Sequence, residues 1–572
     1  MATHFYNGSV TSAADNTNIL DLPLYDDVVV GPMASLVTNA ENAMVFRIAA
    51  GGNVLTIAGT LISKSGMVIG GDNLVGSVEI DLASSAFLIG GIHLQSALQA
   101  MHVSNAGFIG GSTELYFDGD FLGGSLTNSG VMRGDTAVSV VNATISNSGT
   151  IESTYRYSPA ITVGGVGALI TNTGRITGTE MAISFDSLDG SGRITNSGLI
   201  SGSTEGDGFG GSIQGSSYAD RIRNTGIIIG DIFLASGNDV IDSSGGEVVG
   251  IVYGEGGNDL LKGGAGDDVL EGGFGFDQLF GGAGNDTASY ANFDGIGPAM
   301  IVDLFDEAMN TSEAYGDSFS SIENLIGSAV SANALYGDGA VNILDGGEAG
   351  DLLDGRGGAD IMRGDYGDDV YHVDNVADKV IELEGRGDDT VYAATSFKIG
   401  GQSIERLILT GTGNIGATGG FDSDVIEGNG ANNTINGGDG NDTLIGNGGS
   451  DRLIGAAGAD ILGGGAGADS FVLLRVSDSP NPVDQRDTIK DFSVANGDRI
   501  DLSAIDANTI LAGNQAFTFR GTAAFTGAAG QLRFSAGNNV VVVFGDINGD
   551  KAADFAIRVE GTATLAAAQF LL

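Results

Sequence analysis

The sequence predicts an all-β fold in three parts: an N-terminal parallel β-helix, a parallel β-roll solenoid and a C-terminal β-sandwich-like domain. Three observations carry this. Glycine supplies 98 of the 572 residues, more than twice the usual share of ~7%. Such an excess marks many turns, because glycine accepts backbone conformations that other residues resist. A phrase of the form Asn-small-Gly returns at intervals of 19 to 28 residues through the first third of the chain. From residue 254 the period shortens to nine. Length alone suggests about four globular domains, but repeat proteins grow in one dimension and escape that rule.

The phrase reads Asn105-Ala106-Gly107, Asn128-Ser129-Gly130, Asn147-Ser148-Gly149, Asn172-Thr173-Gly174, Asn196-Ser197-Gly198 and Asn224-Thr225-Gly226. β-branched residues flank the copies, as in Ile194-Thr195-Asn196-Ser197-Gly198-Leu199-Ile200. Strands separated by a fixed turn, at about one coil's length, describe a parallel β-helix over residues 101–250. The asparagines are expected to stack along one edge and share amide hydrogen bonds, with each glycine in a left-handed corner. Residues 1–100 are less regular, though 55–62 have the same composition. They are read as the first coils plus a cap over the open end of the solenoid.

The nine-residue rungs begin at Gly254, Gly263, Gly272 and Gly281. They return at Gly337, Gly346, Gly355 and Gly364, and again at Gly419, Gly428, Gly437, Gly446, Gly455 and Gly464. The second rung, Gly263-Gly264-Ala265-Gly266-Asp267-Asp268-Val269-Leu270-Glu271, is a full match to G-G-x-G-x-D-x-U-x. One match is weak; fourteen in phase are specific. Each turn offers carbonyl oxygens freed by glycine and one carboxylate, and the apolar residues after it form a short inward-facing strand. Calcium, a hard cation with six to eight oxygen ligands, suits that donor set.

One rung is a half-coil, so turns on one edge recur every eighteen residues with the metal between them. This pairs Asp259 with Asp277, Asp268 with Asp286, Asp351 with Asp369, and Asn342 with Asp360. In the third block Asp424, Asp442 and Asp460 line one edge, and Asn433, Asp451 and Asp469 the other. The complete pairs predict about eight calcium ions. Asn342 and Asn433 keep an oxygen but lose a charge, which weakens their sites. A lone match such as Asp239 stays open between a ligand and a turn cap. A further candidate is Asp546, Asn548, Asp550 and Asp554, whose D-x-N-x-D spacing is that of the start of an EF-hand loop, without the distal Glu and with Lys551 inside it.

The three blocks, 254–289, 337–372 and 419–472, lie within residues 251–483. The spacers at 290–336 and 371–418 carry Ile322-Glu323-Asn324-Leu325-Ile326-Gly327-Ser328 and Ile404-Glu405-Arg406-Leu407-Ile408-Leu409. Both alternate as half-buried strands do and are read as wider coils of the same solenoid. From 484 the chain changes, with Asp487-Thr488-Ile489-Lys490-Asp491-Phe492, then Gly497-Asp498-Arg499-Ile500-Asp501-Leu502, and a final Phe570-Leu571-Leu572.

The rungs resemble the calcium-binding nonapeptides of the RTX (repeats-in-toxin, haemolysin-type) family, and the spacers resemble those found between such repeats. Residues 484–572 are similar to the C-terminal domain of serralysin-type proteases. The Asn-Ser-Gly coils look like those of bacterial surface β-helices. The resemblance implies type I export: an uncleaved C-terminal signal takes the unfolded chain through both membranes, and calcium outside drives folding. Gln569 departs from the acidic residue that relatives usually carry before the final apolar residues.

Charge narrows the partners. The net charge is −48, with 19 acidic and 8 basic residues in 1–230 and 53 and 16 in the rest. Like charge at that density opposes compaction until a cation neutralises it. A nucleic-acid partner would need a basic face. Cysteine is absent, which rules out disulfides and thiolate metal sites. Residues 1–10 lack the basic start and apolar core of a secretory leader, and no run of ~18 apolar residues spans a membrane. The expected location is extracellular or at the cell surface, reached without an N-terminal signal peptide.

The four histidines, His4, His93, His102 and His372, form no H-E-x-x-H, and no G-x-S-x-G elbow, P-loop or placed dinucleotide fingerprint occurs. The function expected is that of a secreted calcium-binding structural or adhesive protein (adhesin, extracellular matrix or surface-layer component) and not of an enzyme. Its partners would be calcium, the type I secretion machinery, and itself or a surface glycan. The alternative is an extracellular polysaccharide lyase or epimerase working on the β-helix, with Lys64, Arg133, Arg175 and Arg193 as candidate residues.

Overall fold

The computed structural model describes residues 124–572 except 186–189, 204–209, 294–298 and 384. Of the first 123 residues it describes 3–6, 9–11, 20–22, 27–38, 46–48, 53–74, 77–96, 100–111 and 115–118. The chain forms two compact units, one of Met1–Tyr290 with Glu313–Asn324, the other of Ala291–Ser312 with Leu325–Leu572.

The first unit opens as a parallel β-helix with three strands per coil. One coil holds Gly124–Asn128, Val131–Gly134 and Val138–Val141. Each pairs in parallel with its counterpart one coil on, in Ala143–Asn147, Thr150–Ser153 and Ile161–Gly164. Alternate residues point inward, as the period of a strand dictates. Leu126, Ile145, Ile170, Ile194 and Ile222 follow one another in register and are buried.

The asparagines stack as expected. The side-chain amide of Asn105 donates to Asn128 Oδ1, and the chain of donations continues through Asn147, Asn172 and Asn196 to Asn224, each at 2.7 or 2.8 Å. All six are buried, so every link satisfies a donor and an acceptor that water cannot reach.

The glycines of the phrase need a correction: none of them takes the left-handed conformation. A Cβ on Gly130, Gly149, Gly174, Gly198 or Gly226 would instead collide with the carbonyl oxygen of the equivalent glycine one coil earlier. Glycine is required here because neighbouring coils approach too closely for a side chain.

The coil then narrows. After Glu247–Val249 the third face ends, and the chain alternates between Ile251–Tyr253, Leu260–Lys262, Val269–Glu271 and Gln278–Phe280. Leu260 pairs with Gln278 and Val269 with Thr287, the eighteen-residue register. Each three-residue strand sends its central apolar residue inward, Val252, Leu261, Leu270 and Leu279, all buried. A nonapeptide has length for one such strand and one turn, so two of them close a coil.

The second unit repeats this two-strand coil. Val425–Glu427, Thr443–Ile445 and Ile461–Gly463 run parallel on one face, and Gly416–Thr418, Thr434–Asp439, Arg452–Ala457 and Ser470–Val472 on the other. The second spacer is part of the same ladder: Thr390–Ala393 and Arg406–Leu409 stand between Val370–Val373 and Val425–Glu427.

Both faces continue into the C-terminal segment. Thr488–Ile489 pairs with Phe555–Glu560, which starts an antiparallel meander through Val540–Asp546 to Gln531–Ser535. Phe570–Leu571 pairs with Arg499–Asp501 and ends the other face. The segment therefore extends the two facing sheets of the roll.

Candidate metal centre

The fourteen rung positions that the sequence singles out, Asp or Asn, are all buried. The eighteen-residue register explains where their oxygens go. The backbone N–H of Asp259 donates to Asp277 Oδ1, and that of Asp268 to Asp286 Oδ1. Asn342 donates in the same way to Asp360, and Asp351 to Asp369. In the third block Asp424 donates to Asp442 and Asp442 to Asp460; Asn433 donates to Asp451 and Asp451 to Asp469. All eight bonds are 2.7–2.9 Å long.

The second carboxylate oxygen is different. Oδ2 of Asp259, Asp277, Asp286, Asp351, Asp360, Asp369, Asp442, Asp451, Asp460 and Asp469 is buried with no hydrogen-bond partner. Oδ2 of Asp268 and Asp424 each accept a backbone N–H, from Gly264 and Gly420. A row of orphaned buried oxygens is rare in a folded protein and calls for an explanation.

Glycine at the head of each rung shows what space those oxygens face. A Cβ on Gly254 would meet both Asp259 Oδ2 and the carbonyl oxygen of Gly272, eighteen residues on. Gly263, Gly419, Gly437 and Gly446 have the same surroundings, each with its own rung's aspartate and the glycine carbonyl of the next coil. Carboxylate and carbonyl oxygens thus converge on a place that a side chain would fill.

Among the described residues no lysine or arginine forms an ion pair with any of these aspartates. Burial, the largest cause in each case, lifts Asp259 to about 8, Asp351 and Asp442 to about 7, and Asp277, Asp360, Asp424, Asp451 and Asp460 to about 6. An all-oxygen, anionic, water-poor donor set of this kind fits a hard divalent cation.

The ladders also run past the rungs, onto acids outside the nonapeptide pattern. Upstream, Asp220 N–H donates to Asp239 Oδ1 and Asp239 N–H to Asp259 Oδ1, at 2.6 and 2.7 Å. Asp239 Oδ2 is orphaned like those of the rungs. Downstream, Asp277 donates to Asp317, Asp286 to Glu323, Asp360 to Asp378 and Asp369 to Asp389. Asp460 and Asp469 donate to Asp487 and Asp498 of the C-terminal segment. Asp239 is the lone match already visible in the sequence; spacing hides the others, but most keep the D-x-U half of the repeat, as in Asp389-Thr390-Val391, Asp487-Thr488-Ile489 and Asp498-Arg499-Ile500.

Other candidates are arranged differently. Asp546, Asn548, Asp550 and Asp554 share the turn between Val540–Asp546 and Phe555–Glu560, where the Asn548 amide donates to Asp554 Oδ1, but their three carboxylates do not draw together as a group. There the loop's own N–H groups occupy the carboxylates: Gly549 and Lys551 bind Asp546, Ile547 binds Asp554 and Ala552 binds Asp550. The turn has none of the orphaned oxygens that mark the rungs.

His93 stacks on Tyr116, His102 bonds Ser125 Oγ and His372 stacks on Tyr392. The side chains of His4 and Lys64 lie outside the described residues. Arg133 is exposed and paired with Glu152, and Arg175 bonds Thr177. Arg193 lies on a different face, in register with Arg221. Among the described residues, the candidates Arg133, Arg175 and Arg193 therefore do not converge.

Comparison with known families agrees with this arrangement. Residues 253–288 and 336–374 match the RTX calcium-binding nonapeptide repeat (4 copies), and residues 387–572 match the serralysin C-terminal family of peptidase M10. The chain thus carries haemolysin-type repeats and a serralysin-type C-terminal region on a β-solenoid. A solved structure that it resembles is the AlgE6R3 subunit of the Azotobacter vinelandii mannuronan C5-epimerase, 28% identical over 26% of this chain and 77% of that one, with a TM-score of 0.20. A comparison with curated proteins finds no match.

Proposed function

We propose that this is a secreted, calcium-binding protein with a structural or adhesive role outside the cell. The observation that carries the calcium reading is the row of orphaned, buried Oδ2 atoms facing glycine carbonyls along the edges of the roll. Calcium would lie between successive turns on one edge, held by the eight pairs, with about eight ions offsetting some sixteen of the negative charges. Secretion is supported by the serralysin C-terminal match, which implies export by a type I machinery.

The adhesive part draws on exposed aromatic side chains in the first unit. Phe274, Phe276 and Tyr315 are 66%, 56% and 61% exposed, and Phe276 and Tyr315 pack edge to face at 5.7 Å. Aromatic groups held in water on a rigid edge are suited to meeting a partner surface.

Two expected results test the reading. Asp442→Ala removes the residue shared by Asp424 and Asp460, so ion counting by equilibrium dialysis should show two calcium ions lost from one edge. Asp451→Ala should cost two ions from the opposite edge, and the double variant four. A double variant that loses no more than either single would mean both residues serve the same ions and would break the edge assignment. For the structural role, electron microscopy should show ordered self-assembly on adding calcium. Particles that stay single, together with activity on an acidic polysaccharide, would favour an enzyme.

A further inference from the structure

At the end of the second repeat block the turn changes, and a cluster of acids takes its place. Strand Ile361–Asp365 pairs with Lys379–Ile381, Ile361 opposite Lys379 and Arg363 opposite Ile381. Glu382 therefore follows at the position Gly364 holds one coil earlier. A Cβ on Gly364 would strike Asp369 Oδ2 and the Tyr371 hydroxyl, as the regular turn leaves no room. From Gly364 to its carboxylate at Asp369 is five residues; from Glu382 to Asp389 is seven. The two additional residues let a side chain stand where the repeat demands glycine.

That side chain turns inward. Glu382 is 5% exposed and Asp369 and Asp389 are 1% exposed, and carboxylate oxygens of the three lie within 4.8 Å of one another. The hydroxyl of the fully buried Tyr371 donates to Glu382 Oε1. Asp369 Oδ1 accepts the Asp351 N–H at 2.7 Å, while Oδ2 has no partner. This oxygen sits beside the Tyr371 hydroxyl above Gly364 and so faces the cluster. Among the described residues no lysine or arginine pairs with any of the three. Burial, the first cause for each, pushes Glu382 up to about 8, Asp389 to about 7 and Asp369 to about 6.

We propose that Asp369, Glu382 and Asp389 form a further site for a hard divalent cation of calcium's class, closing the second repeat block with two acids from the spacer. The proposal rests on the calcium reading of the rungs and adds a site with a different composition. Calcium–oxygen distances of ~2.3–2.6 Å allow one ion to reach oxygens with this separation, and affinity rises with the number of charged ligands. Three carboxylates exceed the two of any rung pair, so this site fills first as calcium is raised.

Counting calcium ions on the full chain by equilibrium dialysis tests this. Glu382→Gln keeps the shape and an acceptor for Tyr371, and Asp389→Asn keeps the acceptor for Asp369. Each variant should bind one ion fewer than the parent and lose the tightest step of the titration, with circular dichroism in saturating calcium confirming the fold. Terbium supplies a second readout. The chain has no tryptophan, so tyrosine sensitises its emission. Tyr371→Phe, which keeps all three carboxylates, should keep the ion count and lose emission at the first equivalent. A full ion count in both carboxylate variants, or unchanged first-equivalent emission in Tyr371→Phe, overturns the site alone. A parent chain that binds no calcium overturns the rung reading, and this site with it.

Discussion

Calcium added to chelated protein is expected to convert residues 254–472 cooperatively from coil to β-structure. Without a cation, each coil of the roll places buried carboxylates above one another, with one oxygen of most of them unmatched. Along most of the rungs backbone N–H donors satisfy Oδ1 and leave Oδ2 unmatched, and the region after residue 230 holds 53 acidic against 16 basic residues. Burying an unpaired charge is costly enough that the folded state must lose either the charge or the burial. Calcium binds only where two turns are stacked, so it selects the folded state. At a hundred times its Kd one site contributes ~2.7 kcal/mol, and several sites together exceed the ~5–15 kcal/mol net stability of a typical domain.

The β-helix is expected to respond less. Its asparagine ladder is neutral and satisfies itself. A calcium titration followed by far-ultraviolet circular dichroism should therefore begin from a partly structured chain and gain the roll. Magnesium should not replace calcium, because it demands a small octahedral shell and sheds its water reluctantly. A complete roll in excess chelator would contradict the account.

What the sequence discloses here depends on whether a feature is periodic. The fourteen rungs disclose the register because G-G-x-G-x-D-x-U-x specifies both a turn and a strand in nine residues, and two of these set the eighteen-residue pairing seen between Asp442 and Asp460. The asparagine stack is equally legible, since one residue type recurs where neighbouring coils must exchange amide bonds. The role of Gly149 and its equivalents was not legible: excess glycine signals both positive φ and close approach, and only the position of the Gly130 carbonyl distinguishes them.

The ends of the ladders were hidden for another reason. Asp317, Asp389, Asp487 and Asp498 occupy rung positions, but insertions lengthen the coils before them and break the nine-residue spacing, although Gly316, Gly385, Gly387 and Gly497 remain. The acid and the apolar residue two places on survive, because one completes the edge and the other the core. Glu382 carries no repeat signature at all. Its place is visible only once Lys379–Ile381 is paired with the strand before it.

Acid is expected to replace calcium in part. In the calcium-free folded roll, burial raises the aspartates well above their unfolded value of ~3.9: Asp259 to about 8, Asp351 and Asp442 to about 7, Asp277, Asp451 and Asp460 to about 6. Between these values and the unfolded one the folded chain holds more protons than the unfolded chain, so by linkage its stability falls as pH rises. The contribution is complete below ~4 and is lost as pH climbs through 6 to 8, the reverse of an aspartate stabilised by a salt bridge. Lowering a chelated sample from pH 8 to pH 5 should therefore increase β-structure. With calcium present the direction reverses for binding, because protons and calcium compete for the same Oδ2 atoms; at limiting calcium, fewer ions should be bound at pH 5 than at pH 7.5. Circular dichroism in chelator and ion counting in calcium read the two halves separately. Loss of β-structure on acidifying the chelated chain would show that the buried carboxylates are not what holds the calcium-free roll open.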